Sequence, residues 1–263
     1  MDNGLRGKVA WLVGASGTIG RSVARALARD GVHVVLSSRT QSALETLAAD
    51  LAQSTGATTR VLPVDLTKRK QVDAAARKIH DEFCRIDLLI NSTSLSRFGD
   101  FLELSDDDWI AVYQSKLFSY LRTIRAVLPY MLDQSDGRIV NISGRGGHQP
   151  TLPVHLPGMS ANAAVNLLTK GLANRYKANG IRVNAVAPGP VVSPRYDAML
   201  SVNERAEKSA THPSASALGT TSTVSNQAHP DEIADIVLFL LSDRSRLMTG
   251  TVLQADGGST ASL

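Results

Sequence analysis

Seven short apolar runs, separated by longer stretches whose apolar residues recur at helical spacing, limit this chain's fold more than any other feature. The first run, Val9 to Val13, ends in Gly14. Behind it Ile19, Val23, Ala24, Leu27 and Ala28 fall on one face of a helix. Val32–Leu36, Thr59–Val64, Leu88–Ile90, Arg138–Ile142, Ile181–Ala187 and Thr251–Ala255 are the other expected strands. The spacing between them predicts helices over Ala43–Leu51, Val72–Phe83, Asp106–Leu132, Ala161–Tyr176 and Asp231–Leu241. Short strands alternating with helices need right-handed crossovers, so the expected fold is α/β: one domain over residues 1–263, a doubly wound, Rossmann-like, seven-stranded parallel sheet. Ligands bind such sheets at the carboxyl ends of the strands. Residues 201–229 depart from the pattern. Rich in Ser, Thr, Ala and Asn, they read as a mobile lid or loop, or as an insertion without function.

With 43% hydrophobic and 20% charged residues the chain can bury a core, which excludes a disordered or collagen-like protein. Its 28 Lys and Arg against 24 Asp and Glu are scattered, and a balance of +4 gives no reason to expect nucleic acid. Cys84 is the single cysteine, so neither an intrachain disulfide nor a zinc or other metal site is expected. Met1–Lys8 lacks an apolar core of the signal-peptide kind, and no stretch approaches 18 uncharged apolar residues. The expected protein is cytoplasmic and off the membrane. The run Asp106-Asp107-Asp108 opens a predicted helix, where negative charge suits the dipole.

Gly14-Ala15-Ser16-Gly17-Thr18-Ile19-Gly20 joins the first strand to the first helix. Glycines there let backbone approach a pyrophosphate at a helix N-terminus, so a dinucleotide is expected against Gly14, Ser16, Gly17, Thr18, Ile19 and Gly20. At the end of the second strand a carboxylate would accept hydrogen bonds from a free ribose 2′-hydroxyl. This chain has Ser37-Ser38-Arg39-Thr40 instead, and hydroxyls with a guanidinium suit a 2′-phosphate, so NADP is favoured over NAD.

With these motifs in order, the sequence resembles the short-chain dehydrogenase/reductase family over essentially its whole length. The glycine motif is similar to TGxxxGxG, with Val13 for the threonine and the middle glycine moved to Gly17. Asp65-Leu66 resembles the pair that holds adenine, Leu89-Ile90-Asn91 the start of NNAG, and Ser143 the serine that ends the fifth strand. Pro188-Gly189-Pro190-Val191-Val192-Ser193 resembles PGxxxT, which implies that Val191 backbone and the Ser193 hydroxyl hold a nicotinamide carboxamide. A homotetramer with the helices from Asp106 and Ala161 at an interface is likewise implied.

The departures fall on the chemistry. Ala163-Ala164-Val165 fixes the register of the family's YxxxK helix, which puts Gly158 at the tyrosine position and Asn162 at the lysine position. Asn162 can still bond a ribose hydroxyl, but Gly158 can move no proton. The asparagine of the fourth helix is replaced by Lys116, whose ammonium would stand in for the lost positive charge. Ser143 can polarise a carbonyl, and His148 or, preferentially, His155 can supply a proton near pH 7. Cys84 is expected to be structural. The resulting expectation is an NADP(H)-dependent oxidoreductase of a small carbonyl, alcohol or conjugated alkene. The last follows a likeness to dienoyl-CoA reductases, which also lack the usual tyrosine and share an Ala-Pro-Gly-Pro segment like Ala187–Pro190. A nucleotide-binding pseudoenzyme and a non-redox lyase or isomerase are the alternatives.

Overall fold

A computed structural model describes residues 3–57, 59–209 and 227–260. Seven parallel strands form one sheet in the order β3-β2-β1-β4-β5-β6-β7. They are β1 (Val9–Val13), β2 (His33–Ser37), β3 (Arg60–Val61), β4 (Leu88–Asn91), β5 (Gly137–Ile142), β6 (Ile181–Pro188) and β7 (Val252–Ala255). The helices are α1 (Thr18–Arg29), α2 (Gln41–Thr55), α3 (Arg69–Phe83), α4 (Asp106–Tyr113), α5 (Ser119–Gln134), α6 (Leu156–Tyr176), α7 (Pro194–Ser209) and α8 (Pro230–Leu241). The strand order reverses between β1 and β4, which opens a crevice at their carboxyl ends.

Period-two alternation along the strands divides the core into two layers. Ala10 and Leu12 of β1 pack with Val23 and Leu27 of α1, Leu44 of α2 and Val237 of α8. Val9, Trp11 and Val13 face the other way, against Ile79 of α3, Ile124 and Val127 of α5 and Val165 of α6. Each such fully buried aliphatic side chain stabilises the fold by about 1.5–3 kcal/mol. Ser105 starts α4 with a capping box. Its hydroxyl accepts from Asp108 N at 3.3 Å, and the Asp108 carboxylate accepts from Ser105 N at 3.2 Å, which is the capping role expected of this acidic run.

Four segments differ from expectation. β3 is shorter than Thr59–Val64 because Pro63 has no N–H for the ladder, although Leu62 N and Val64 N still reach Leu36 O and Ser38 O. The helix expected over Asp106–Leu132 is broken by a π turn at Gln114–Phe118. The lid expected at 201–229 begins inside α7, which runs to Ser209, and Ala228 pairs with Val191; residues 210–226 lie outside the described residues. Cys84 is exposed and takes a left-handed conformation (φ 56°) to end α3, so it contributes nothing to the core. Among the described residues no helix is long and apolar enough to cross a membrane.

Candidate active site

Two cavities at the carboxyl ends of the strands, of about 310 and 380 Å³, share Gly17, Ser92, Thr93, Ser94 and Leu95 in their walls and form one cleft. One end is built of backbone. Gly14 has φ +77° after β1, and a Cβ there would collide with Ser92 O, so this turn requires glycine. Gly14 N and Ala15 N donate to Ser37 O at 2.8 and 3.1 Å, which fixes the loop to β2. Gly17 caps α1 with no side chain on its first N–H groups and no acid in the first turn, so that helix end is open to an anion. Ser16, Thr18 and Ile19 complete this wall. Gly20 lies behind it, where a Cβ would run into Gly14 O.

The second cavity is lined by Ser38, Arg39, Asp65 and Leu66. Ser37 does not join them. Its hydroxyl accepts from Trp11 Nε1 at 2.9 Å and donates to Leu62 O at 2.7 Å inside the sheet, leaving Ser38 and exposed Arg39 as the groups at the end of β2. Burial pulls the Asp65 carboxyl up, but hydrogen bonds from Thr67 N (2.9 Å) and Oγ1 (2.7 Å) and the charges of Lys68 and Arg39 hold it below the ordinary range. Asn91, expected at the cofactor, is turned into the sheet. Its amide donates to Asn141 Oδ1 at 2.9 Å and accepts from Thr123 Oγ1 at 2.7 Å.

Long side chains from separate elements make the other end. Lys116 projects from the π turn and is 6% exposed, so its head as well as its stem is inside. Nζ donates to Ile142 O at 2.6 Å and Thr93 O at 3.3 Å, next to the Tyr120 hydroxyl, which donates to the same two carbonyls. Burial first, and then the positive charge of Arg195, push the Lys116 ammonium down to about 7. Ser143, the residue after Ile142, donates from Oγ to Val186 O at 3.2 Å and lines the same cavity. Asn162 is buried there too, its amide fitting against Gly144, where a Cβ would stand 2.8 Å from Nδ2. Pro188, Gly189, Val191 and Ser193 form the far wall. The Ser193 hydroxyl donates to Val191 O and accepts from Tyr196 N.

His155 reaches this cavity and exposed His148 does not line it. A Cβ on Gly158 would overlap His155 Nε2, so the imidazole fills the space that a side chain at 158 would take. Burial, then Arg195 and Lys116, push His155 down to about 3. It is therefore neutral near pH 7, against the expectation of a group titrating there. Arg195 Nη2 lies 3.1 Å from His155 Nε2, and since a guanidinium only donates, Nε2 accepts and the ring proton sits on Nδ1. Arg195 was not singled out in the sequence. The available signal was a cation in the first turn of a helix, against the dipole.

A family profile described as enoyl-(acyl carrier protein) reductase matches residues 14–260. The oxidoreductase UcpA of Escherichia coli K12 is 34% identical over 257 residues, 97% of this chain and 95% of the relative. The L-sorbose reductase of Gluconobacter frateurii, crystallised with NADPH and L-sorbose, superposes with a TM-score of 0.86 at 26% identity over 100% of both chains. An actinorhodin polyketide ketoreductase crystallised with NADPH gives 0.84 at 27% identity, covering 96% of this chain and 97% of the other.

Proposed function

Because the chain belongs to the short-chain dehydrogenase/reductase family, an oxidoreductase family, we propose that it is an NADP(H)-dependent enzyme of a small organic carbonyl, alcohol or conjugated alkene. The observation that carries this reading is the single cleft, with an uncapped, glycine-lined helix end on one side and buried Lys116 and Ser143 on the other. Gly14, Ser16, Gly17, Thr18 and Ile19 would hold the pyrophosphate, Asp65 and Leu66 the adenine, and Ser38 and Arg39 a 2′-phosphate. Asn162, Pro188, Gly189, Val191 and Ser193 would hold the nicotinamide end, with Gly20 and Asn91 supporting from behind. When bound, the cofactor supplies hydride.

On the register set by Ala163-Ala164-Val165, the family's tyrosine and lysine positions carry Gly158 and Asn162. Proton handling then passes to Lys116. An amine buried to a value near 7 exchanges a proton at neutral pH, and its contact with Ile142 O brings it beside Ser143. The Ser143 hydroxyl polarises the substrate oxygen, and Lys116 neutralises and protonates it. Held neutral, His155 fills the missing side chain's space and anchors Arg195. A screen of NADPH consumption over ketones, enones and acyl thioesters tests the assignment. Stoichiometric oxidation with one of them is expected; tight NADPH binding without turnover on any would favour a pseudoenzyme. By the same family likeness the protein forms a tetramer, to which exposed Ile110, Phe118 and Leu167 on α4, the π turn and α6 would contribute. A monomer in sedimentation would contradict this.

A further inference from the structure

The substrate end of the cleft holds positive charge with no negative charge to answer it. Lys116, Arg145 and Arg195 line the first cavity beside neutral His155, and no Asp or Glu does. None of the ion pairs among the described residues includes Lys116 or Arg195. The stretch 210–226, outside the described residues, contains no Asp or Glu in its sequence and so has no carboxylate to offer. Arg195 is held where a ligand can use it. Its guanidinium lies 5.3 Å over the Phe98 ring and donates from Nη2 to His155, while Nε is buried with no hydrogen-bond partner among the described residues. Burial lowers Arg195, yet a guanidinium stays charged at any working pH. A mostly buried, permanently charged guanidinium that lines the cavity and has no counter-ion among the described residues costs free energy that an incoming anion returns.

We propose that the substrate is an acid, bearing a carboxylate close to the carbonyl or alkene that is reduced, and that Arg195 receives that carboxylate while Lys116 and Ser143 face the reacting oxygen. This rests on the reductase reading above. A carboxylate presents two in-plane oxygens to the guanidinium fork, and its charge also relieves the repulsion between Arg195 and Lys116. The neutral His155 acceptor holds the fork without neutralising it, as a carboxylate in its place would.

The test compares a 2-oxo acid with its methyl ester and primary amide, in the wild type and in Arg195→Gln. The acid is expected to exceed both neutral forms in kcat/KM by about ten- to a hundredfold in the wild type, the scale of a charged hydrogen bond, with the preference lost in Arg195→Gln. Equal use of acid and ester, or a preference that survives Arg195→Gln, would overturn the proposal. NADPH affinity is measured alongside. A fall in Arg195→Gln as large as the fall in kcat/KM would assign the arginine to a cofactor phosphate and overturn it as well. A second measurement needs no variant: with NADPH present, a short alkyl carboxylate should raise the wild-type Tm and the matching amide should not. This second test also separates the two readings. A carboxylate-specific shift with no turnover on any carbonyl or conjugated alkene would sink the reductase assignment and leave the acid site standing, whereas turnover of neutral ketones with no shift would do the reverse.

Discussion

The two ends of the cleft are made differently. The nucleotide end is mostly backbone, a glycine turn and an open helix terminus within residues 14–20, with Ser38, Arg39, Asp65 and Leu66 at its edge. The substrate end is side chain, with Lys116 from the π turn, Ser143 after β5, His155 before α6 and Arg195 in α7, spread over eighty residues of sequence. Backbone sites are nearly indifferent to side-chain drift, because what they require is the absence of a Cβ. Side-chain sites can be rebuilt, and this one has a histidine ring in the space above Gly158.

The largest expected effect separates the two ends. Lys116→Met keeps the stem and removes the ammonium, so turnover should fall by about a hundredfold, as on losing one oxyanion-stabilising group, while NADPH affinity stays unchanged. Loss of both would mean that the ends are not independent. Ser143→Ala should act on the same oxygen, so the double variant should fall by less than the product of the two. At the nucleotide end, NADPH should bind about ten- to a hundredfold tighter than NADH through Ser38 and Arg39. Arg39→Asp should erase that preference without changing turnover at saturation, and equal titrations in the wild type would refute the assignment of Arg39.

Smaller effects sharpen the contrast. Gly14→Ala forces a Cβ onto a left-handed backbone against Ser92 O, a strain of about 1–3 kcal/mol, and should lower Tm and NADPH affinity together. Gly158→Ala puts its Cβ onto His155 and should lower turnover by about tenfold through displaced side chains, with NADPH affinity intact. Stability should also report the buried amine. Lys116 titrates near 7 when folded against an ordinary 10.5, so between these values the unfolded chain holds more protons and stability rises with pH. Relative to the wild type, Lys116→Met should gain most in Tm at or below pH 7, and the gain should shrink toward pH 10.

Legibility in the sequence followed the same division. Strands and helices were visible because their period is local, and the glycine turn because Gly14 to Gly20 stands between two strongly patterned elements. Pro63 shortened β3 through one missing N–H, a detail that an apolar run such as Thr59–Val64 hides. No helix is expected where α7 lies, because residues 194–200 are too few to show a helical period and the low-apolar composition after residue 200 conceals the rest, to Ser209. The meeting of Arg195 with His155 depends on where α7 crosses the mouth of the cleft, and no spacing within either segment encodes it. Ser37 reads in sequence as one of the hydroxyls suited to a 2′-phosphate because its actual partner, the Trp11 indole, lies on a neighbouring strand.

If Lys116 is the acid in place of a tyrosine, its ionisation governs the pH profile of kcat/KM for carbonyl reduction, since that parameter reports groups of the free enzyme. The wild type should lose activity as pH rises through about 7, where the Lys116 ammonium gives up its proton, and Lys116→Met should show a low, flat profile over the same range. An alkaline limb that persists unchanged in Lys116→Met would place the acid elsewhere and contradict the account.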